Sequence, residues 1–277
     1  MSDDHAAEPA AEPAGEAAAD VARSIELEVE VAGTREEVWR AIATGPGISS
    51  WYVPHTVEER EGGAATASFG PGPEMEVAGR VAAWEPPRRV VFDGGEGVGG
   101  LAFEWLVETR DDGTCVVRLV NAGFGASEEY DAQYDGMAEG WKLFLLNLQL
   151  HLEHFAGQTA TALLPMAMWA GPREQTWARL TDTLGIPTAP TVGERIEASG
   201  PDVPPLAGTV VVADWWRLAL LLDQPAPGTA ILAVEGDGDQ VGVSIWSYLY
   251  GDAGVAAAER DGPLWWQWLA GRAAAGD

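Results

Sequence analysis

The chain has 277 residues, 43 carboxylate against 16 basic side chains for a formal charge of −27, and an apolar content of 47% with thirteen Trp. Such a charge repels phosphate backbones and anionic lipid, so no nucleic-acid or membrane partner is expected, while the length allows roughly two domains of ~100–200 residues. Cys115 is the sole cysteine, which excludes an intrachain disulfide, and no apolar run approaches the ~20 residues of a membrane span; a cytoplasmic protein is expected.

Residues 1–22 are acidic, rich in Ala and Pro and without large apolar side chains up to Asp20, the pattern of a disordered tail. From Ser24 to Val31 the apolar residues Ile25, Leu27, Val29 and Val31 alternate, predicting a strand with one buried face. Gly33 breaks it. Thr34, with Glu37 three positions on, has the spacing of a capping box for a helix whose apolar side is Val38, Trp39 and Ile42. That helix ends around Gly45-Pro46-Gly47, and the turn Ile48 to Pro54 leads to strands near 56–60, 64–69, 74–84, 88–93, 101–108 and 114–121. Asp111-Asp112-Gly113 is a hairpin turn between the last two. Gly94 to Gly100 is glycine-rich, but no helix start follows it, so it reads as a hairpin rather than a phosphate cradle.

After Ser127 the period becomes helical. Met137, Trp141, Phe144, Leu145, Leu148, Leu152 and Phe155 form one stripe, and Leu143, Leu146 and Leu150 a second. A helix apolar on two sides needs two partners, here its own sheet and the second half of the chain. That half has a strand near 161–169, a helix from Pro172 to Leu184, strands near 192–198, 206–213, 217–222, 229–235 and 241–250, and a short Trp-rich helix at 264–272.

The two halves share landmarks in one order. Arg35-Glu36-Glu37-Val38-Trp39 returns as Arg173-Glu174-Gln175-Thr176-Trp177, and Ala78-Gly79, Glu85 and Arg88 return as Ala207-Gly208, Asp214 and Arg217. The segment at 140–144 has a looser echo at 263–267. Shared order with shrinking offsets is the mark of duplication followed by loop loss. The second copy lacks the Trp51-Tyr52 turn and reads as having a closing helix half as long and a smaller core. One binding domain and one supporting domain are therefore expected.

Strand, helix, antiparallel meander and closing helix is the order of an α+β helix-grip fold, in which a curved antiparallel sheet wraps its C-terminal helix. Gly79-Arg80-Val81-Ala82-Ala83-Trp84-Glu85-Pro86-Pro87-Arg88-Arg89-Val90-Val91-Phe92 resembles the central signature of the heat-shock-protein-90 ATPase activator homologue family, within the START-like (SRPBCC) superfamily. Thr34 to Trp39, Trp51, Gly123-Phe124 and Gly140-Trp141 fall where that family has its first helix, lid, sixth strand and last helix. The resemblance implies a START-like domain over 23–157 and a degenerate second one over 158–277. It also implies binding of a lipid, polyketide, hormone or other apolar molecule more than a reaction, although some superfamily members cyclise or hydrate their ligands and eukaryotic activators bind a chaperone. It brings no cofactor and no general catalytic residue set.

In such a fold the candidate ligand-binding residues are Trp51, Tyr52, Phe69, Met75, Phe103, Trp105, Phe124, Trp141, Phe144, Leu145 and Leu148, with Trp51 and Tyr52 at the mouth. Three polar groups are candidates to join them. His55 lies beside the lid, and Glu104 and Arg118 lie on neighbouring strands where they line the pocket if their face is concave and form a solvated pair if it is convex, the usual home of charges. His151 and His154, three apart, have metal-ligand spacing, but no third ligand is readable and histidines at a helix end also complement its dipole; no metal is expected. Cys115 on a strand reads as a structural thiol. A small apolar or aromatic ligand for sequestration, transport, tolerance or sensing is the leading expectation. A polyketide-type cyclase, aromatase or hydratase, and a chaperone-activator-like interaction module with an unspecified protein partner, are the alternatives.

Overall fold

The computed structural model describes residues 23–70, 72–94, 101–110, 113–124 and 131–273; the N-terminal tail, most of the glycine-rich stretch after Gly94, and Asp111 and Asp112 lie outside the described residues. Two α+β units follow one another. The first holds β1 (Arg23–Val31), α1 (Arg35–Ala43), α2 (Gly45–Ile48), β2 (His55–Val57), β3 (Ala64–Ser68), β4 (Glu76–Glu85), β5 (Arg89–Asp93), β6 (Ala102–Thr109), β7 (Cys115–Phe124) and α3 (Asp131–His154). Its seven strands form one antiparallel sheet in the order β1-β7-β6-β5-β4-β3-β2.

Local chemistry accounts for much of this unit. Ile25 and Val31 of β1 are buried while Glu26, Glu28 and Glu30 face out, the alternation a half-buried strand requires. At α1 the capping box is complete: Thr34 Oγ1 accepts from Glu37 N, and Glu37 Oε2 accepts from Thr34 N at 2.8 Å. These bonds hold the Glu37 carboxyl below the usual carboxylate range, and such a cap contributes about 1 kcal/mol. The core joins Val38, Trp39 and Ile42 of α1 to Val81, Val90, Trp105, Val107, Val117 and Leu119 of the sheet and to Trp141, Leu145, Leu148 and Leu152 of α3. Cys115 lies within it with its thiol pushed up by burial.

The second unit repeats the plan with β8 (Ala160–Leu163), β9 (Met166–Ala170), α4 (Arg173–Leu184), β10 (Arg195–Glu197), β11 (Ala207–Asp214), β12 (Arg217–Gln224), β13 (Gly228–Glu235), β14 (Gln240–Tyr250) and α5 (Gly251–Ala273). Its sheet runs β10-β11-β12-β13-β14-β8, with β9 also on β14. The repeated landmarks fall at equivalent places, and one has a shared physical reason. A Cβ at Gly79 would lie 2.6 Å from Asp93 O, and one at Gly208 would lie 2.3 Å from Leu221 O, so each Ala-Gly marks a strand too close to its neighbour's carbonyl for a side chain.

Three expectations are corrected here. The strand at 161–169 is two strands, β8 and β9, pairing with separate stretches of β14. They part at Pro165, which has no N–H for the ladder, although its carbonyl still accepts from Ile245 N. The closing helix is not half-length. α5 spans 23 residues against 24 for α3, because the Gly- and Ala-containing stretch from Gly251 continues through Pro263 instead of ending there. An internal Pro costs ~3 kcal/mol, which burial of Trp265, Trp268 and Leu269 at about 1.5–3 kcal/mol each offsets. Nor is the second core smaller. It gathers Trp169, Trp177, Leu218, Leu220, Leu232, Ile245, Trp265 and Trp268 into the larger cluster of buried side chains among the described residues.

α3 packs on both units. Strands β13 and β14 are buried on both faces: Ala230, Leu232, Val234, Val243 and Ile245 enter their own core, while Thr229, Trp246, Tyr248 and Tyr250 turn toward the first unit. This explains why those strands read as nearly continuous apolar runs. Among the described residues no helix is long and apolar enough to cross a membrane.

Candidate functional site

Between the outer strands of the first sheet and the N-terminal half of α3 lies a cavity of about 400 Å³. The two halves of α3 behave differently. Beyond Phe144 the helix lies directly on the core, whereas Met137, Gly140, Trp141 and Phe144 line the cavity, with Trp141 also in edge contact with Phe103 and Trp105 of β6. Gly140 contributes space, since a Cβ there would meet nothing within 4 Å. Opposite stand Phe92 of β5 and Phe103 and Trp105 of β6, with Ala65 and Ala67 of β3 as small floor residues. Val77 of β4 also lines it and is 42% exposed, which places it at the rim.

Its third side is the turn after α2. Trp51 is buried, and its Nε1 donates to Ala41 O at 2.9 Å, tying the turn to α1. Tyr52 is the centre of the aromatic wall, with ring centroids 4.5 Å from Phe144, 5.0 Å from Trp141, 5.9 Å from Trp51 and 6.2 Å from Phe69. Burial raises its phenol far above the ordinary range, so it stays protonated. His55 opens β2 and lines the same space, its ring 5.7 Å from that of Tyr52. Its Nδ1 lies 2.7 Å from Val53 O. A carbonyl only accepts, so Nδ1 carries the proton, and burial lowers the ring's pKa so that it is neutral. Asp93 also reaches the cavity, with both carboxylate oxygens taken by the Arg80 guanidinium at 2.9 and 3.1 Å.

Trp51, Tyr52, Phe69, Phe103, Trp105, Trp141, Phe144 and His55 are thus brought together around one space. Other candidates lie elsewhere. Leu145 and Leu148 belong to the filled core, because periodicity marks an apolar helix face without showing whether the space before it is filled. Met75 ends a 3-10 turn (Pro73–Met75) and packs over Gly70, outside the lining. Glu104 and Arg118 are on the convex face, where Glu104 pairs with Arg89 and Arg118 with Glu26. Their strands are hairpin neighbours, but Arg118 stands opposite Leu106, and each charge takes a different partner. The side chain of Phe124 lies outside the described residues. His151 is buried and turned to Tyr250, while His154 faces Glu153 at 3.9 Å, so the two rings take separate partners. Met137, Gly140, Phe92 and Asp93 escape sequence reasoning as lining residues; a glycine inside the α3 stripe is the available signal for the second of these.

The turn bearing Trp51 and Tyr52 is held from behind by the second unit. Tyr250 OH donates to Ser50 O at 2.9 Å and accepts from His151 Nδ1 at 2.8 Å, and Ala160 N donates to Ser50 Oγ at 3.0 Å. Asn147 of α3 donates to Trp51 O at 2.8 Å and accepts from Thr229 Oγ1 at 2.7 Å. Around these bonds Val53, Phe155, Ala160, Leu164, Tyr248 and Tyr250 form a buried cluster shared by both units, and Trp246 stacks on Phe144 at 5.6 Å. The second unit has its helix-to-sheet space filled by Trp169, Trp265 and Trp268. A cleft of about 380 Å³ on its surface instead lies between α4 and the β11–β12 turn, beside the exposed Trp215.

Residues 32–153 match the family described as activator of Hsp90 ATPase homolog 1-like protein. No curated protein matches the chain significantly. Among solved structures, the Aha1 dimer from Colwellia psychrerythraea is 19% identical over 48% of this chain and 97% of its own, with a TM-score of 0.41. Two others extend over 91% of this chain. DynU16, a protein of the dynemicin biosynthetic locus, is 18% identical with 97% of its own length covered and a TM-score of 0.40. The di-domain ARO/CYC BexL from the BE-7585A biosynthetic pathway is 15% identical with 98% covered and a TM-score of 0.44. The matched segment begins just after β1 and stops one residue before the end of α3, and so takes in the cavity and all its walls. Residues 32–153 therefore form a domain like those of the activator of Hsp90 ATPase homolog 1-like family, of START-like (SRPBCC) type.

Proposed function

We propose that the first domain binds a small apolar or aromatic molecule between its sheet and α3, and serves in sequestration, transport, tolerance or sensing. The supporting observation is the cavity of about 400 Å³ walled by eight aromatic side chains from the Trp51-Tyr52 turn, β5, β6, α3 and Phe69. Its size lies within the roughly 300–1,000 Å³ of small-molecule sites, and at a packing density of about 0.75 it accommodates roughly 300 Å³ of ligand. Native mass spectrometry and tryptophan fluorescence against a panel of hydrophobic compounds test this. Binding at one-to-one stoichiometry that is abolished by Gly140→Phe is expected, and a panel-wide failure to bind overturns the reading.

One observation supports catalysis as a second reading. His55 brings a neutral imidazole to the cavity wall, the form a general base needs in a polyketide-type cyclase or hydratase. Turnover of a bound polyketide-like compound that disappears in His55→Gln while binding persists would select that reading; binding without turnover leaves the carrier role.

A further inference from the structure

We propose, building on the binding role above, that the cavity selects an uncharged aromatic molecule bearing a hydroxyl or N–H donor, which it anchors on Nε2 of His55. Three features combine. His55 Nδ1 is committed as a donor to Val53 O, so the neutral ring presents an unprotonated Nε2 with a lone pair. Among the described residues no protein donor bonds that nitrogen, and it is not one of the fully buried side-chain atoms left without a partner, so it remains reachable on a ring that lines the cavity. Around it the wall is aromatic and aliphatic, so a ligand donor meets the imidazole where water competes poorly.

Charge narrows the class further. No Lys or Arg lines the cavity among the described residues, and the carboxylate that does, Asp93, is already chelated by Arg80. A ligand carboxylate would enter without a counter-ion and beside an existing negative charge, and burying an unpaired ion is strongly unfavourable. A phenol or an aromatic N–H compound meets neither obstacle.

Three probes of one ring system separate these terms: naphthalene, 2-naphthol and 2-naphthoate, titrated calorimetrically into the full chain at neutral pH. Naphthol gains less from leaving water than naphthalene, so preference for it requires a polar partner. The expected order is 2-naphthol about fivefold tighter than naphthalene, the worth of one net hydrogen bond, and 2-naphthoate at least roughly tenfold weaker than either. In His55→Phe the two neutral probes should bind alike. Should that variant not fold, His55→Gln, which retains a carbonyl acceptor, is expected to keep part of the naphthol preference. Equal binding of naphthol and naphthalene to the wild type, or a naphthol preference that survives His55→Phe, overturns the anchor while leaving the cavity role standing. Tight binding of naphthoate overturns the charge selection. Failure of all three probes overturns the cavity role itself.

Discussion

Replacing Tyr250 by Phe tests whether the second unit holds the pocket turn. The ring stacks on Phe155 with centroids 3.9 Å apart and planes 6° from parallel, and Phe keeps that contact, so the substitution isolates the hydroxyl. Two buried groups lose their partner, Ser50 O and the Nδ1–H of His151. Each unmatched buried group costs about 1–3 kcal/mol, so the loss is ~3 kcal/mol, or roughly 10 °C in Tm for a chain of this size. Urea unfolding followed by circular dichroism and by tryptophan fluorescence reads it, with coincident transitions if the two units melt together. Because the freed carbonyl belongs to the residue before Trp51, ligand affinity should fall as well. A stability loss below about 0.5 kcal/mol would refute the idea that these bonds tie the units together.

Acid should weaken the same seam. Burial pushes His151 down to about 4 from its ordinary 6.5, so between those values the unfolded chain binds one proton more and stability falls as pH drops through that window, by up to ~3 kcal/mol in all. His55, also lowered by burial, adds in the same direction, and His151→Gln should flatten the slope seen in pH-dependent unfolding. At Gly140, Ala should raise stability by about 1 kcal/mol because α3 gains a better helix former whose Cβ meets nothing, while Phe should fill the cavity and block ligand without lowering Tm. Glu104→Gln, on the convex face, should leave ligand binding unchanged and shift stability by no more than ~1 kcal/mol in thermal melts.

Features set by residues close together in the chain are legible in the sequence. The alternation of Ile25 to Val31, the Thr34–Glu37 capping box and the double stripe of α3 each appear as expected, because strand period, cap spacing and helical period are local properties. The β4–β5 hairpin with its Glu85–Arg88 pair falls where the repeat places it. The full course of α5 is not legible, because Gly251 to Gly262 carries weak local signals and Pro263 resembles a helix start, and only the docking of Trp265 and Trp268 onto the second sheet accounts for its extent. Glu104 and Arg118 stay open between two faces in the sequence because their strand pattern does not say which way the sheet curves.

The hydrogen bonds of the seam, unlike the apolar side of α3 that faces it, have no sequence signal. Ser50, Asn147, Thr229 and Tyr250 are separated by up to 200 positions and carry no motif, and they meet only because α3 lies between two sheets. The sequence by itself determined that two related units exist and that α3 needs a partner on each side. Tertiary structure alone decided where space is left unfilled: at Gly140 a cavity stays open between α3 and the first sheet, while in the second unit large side chains occupy the corresponding gap. A cavity is a difference between the volume two elements enclose and the volume their side chains fill, and neither quantity is set by residues adjacent in the chain.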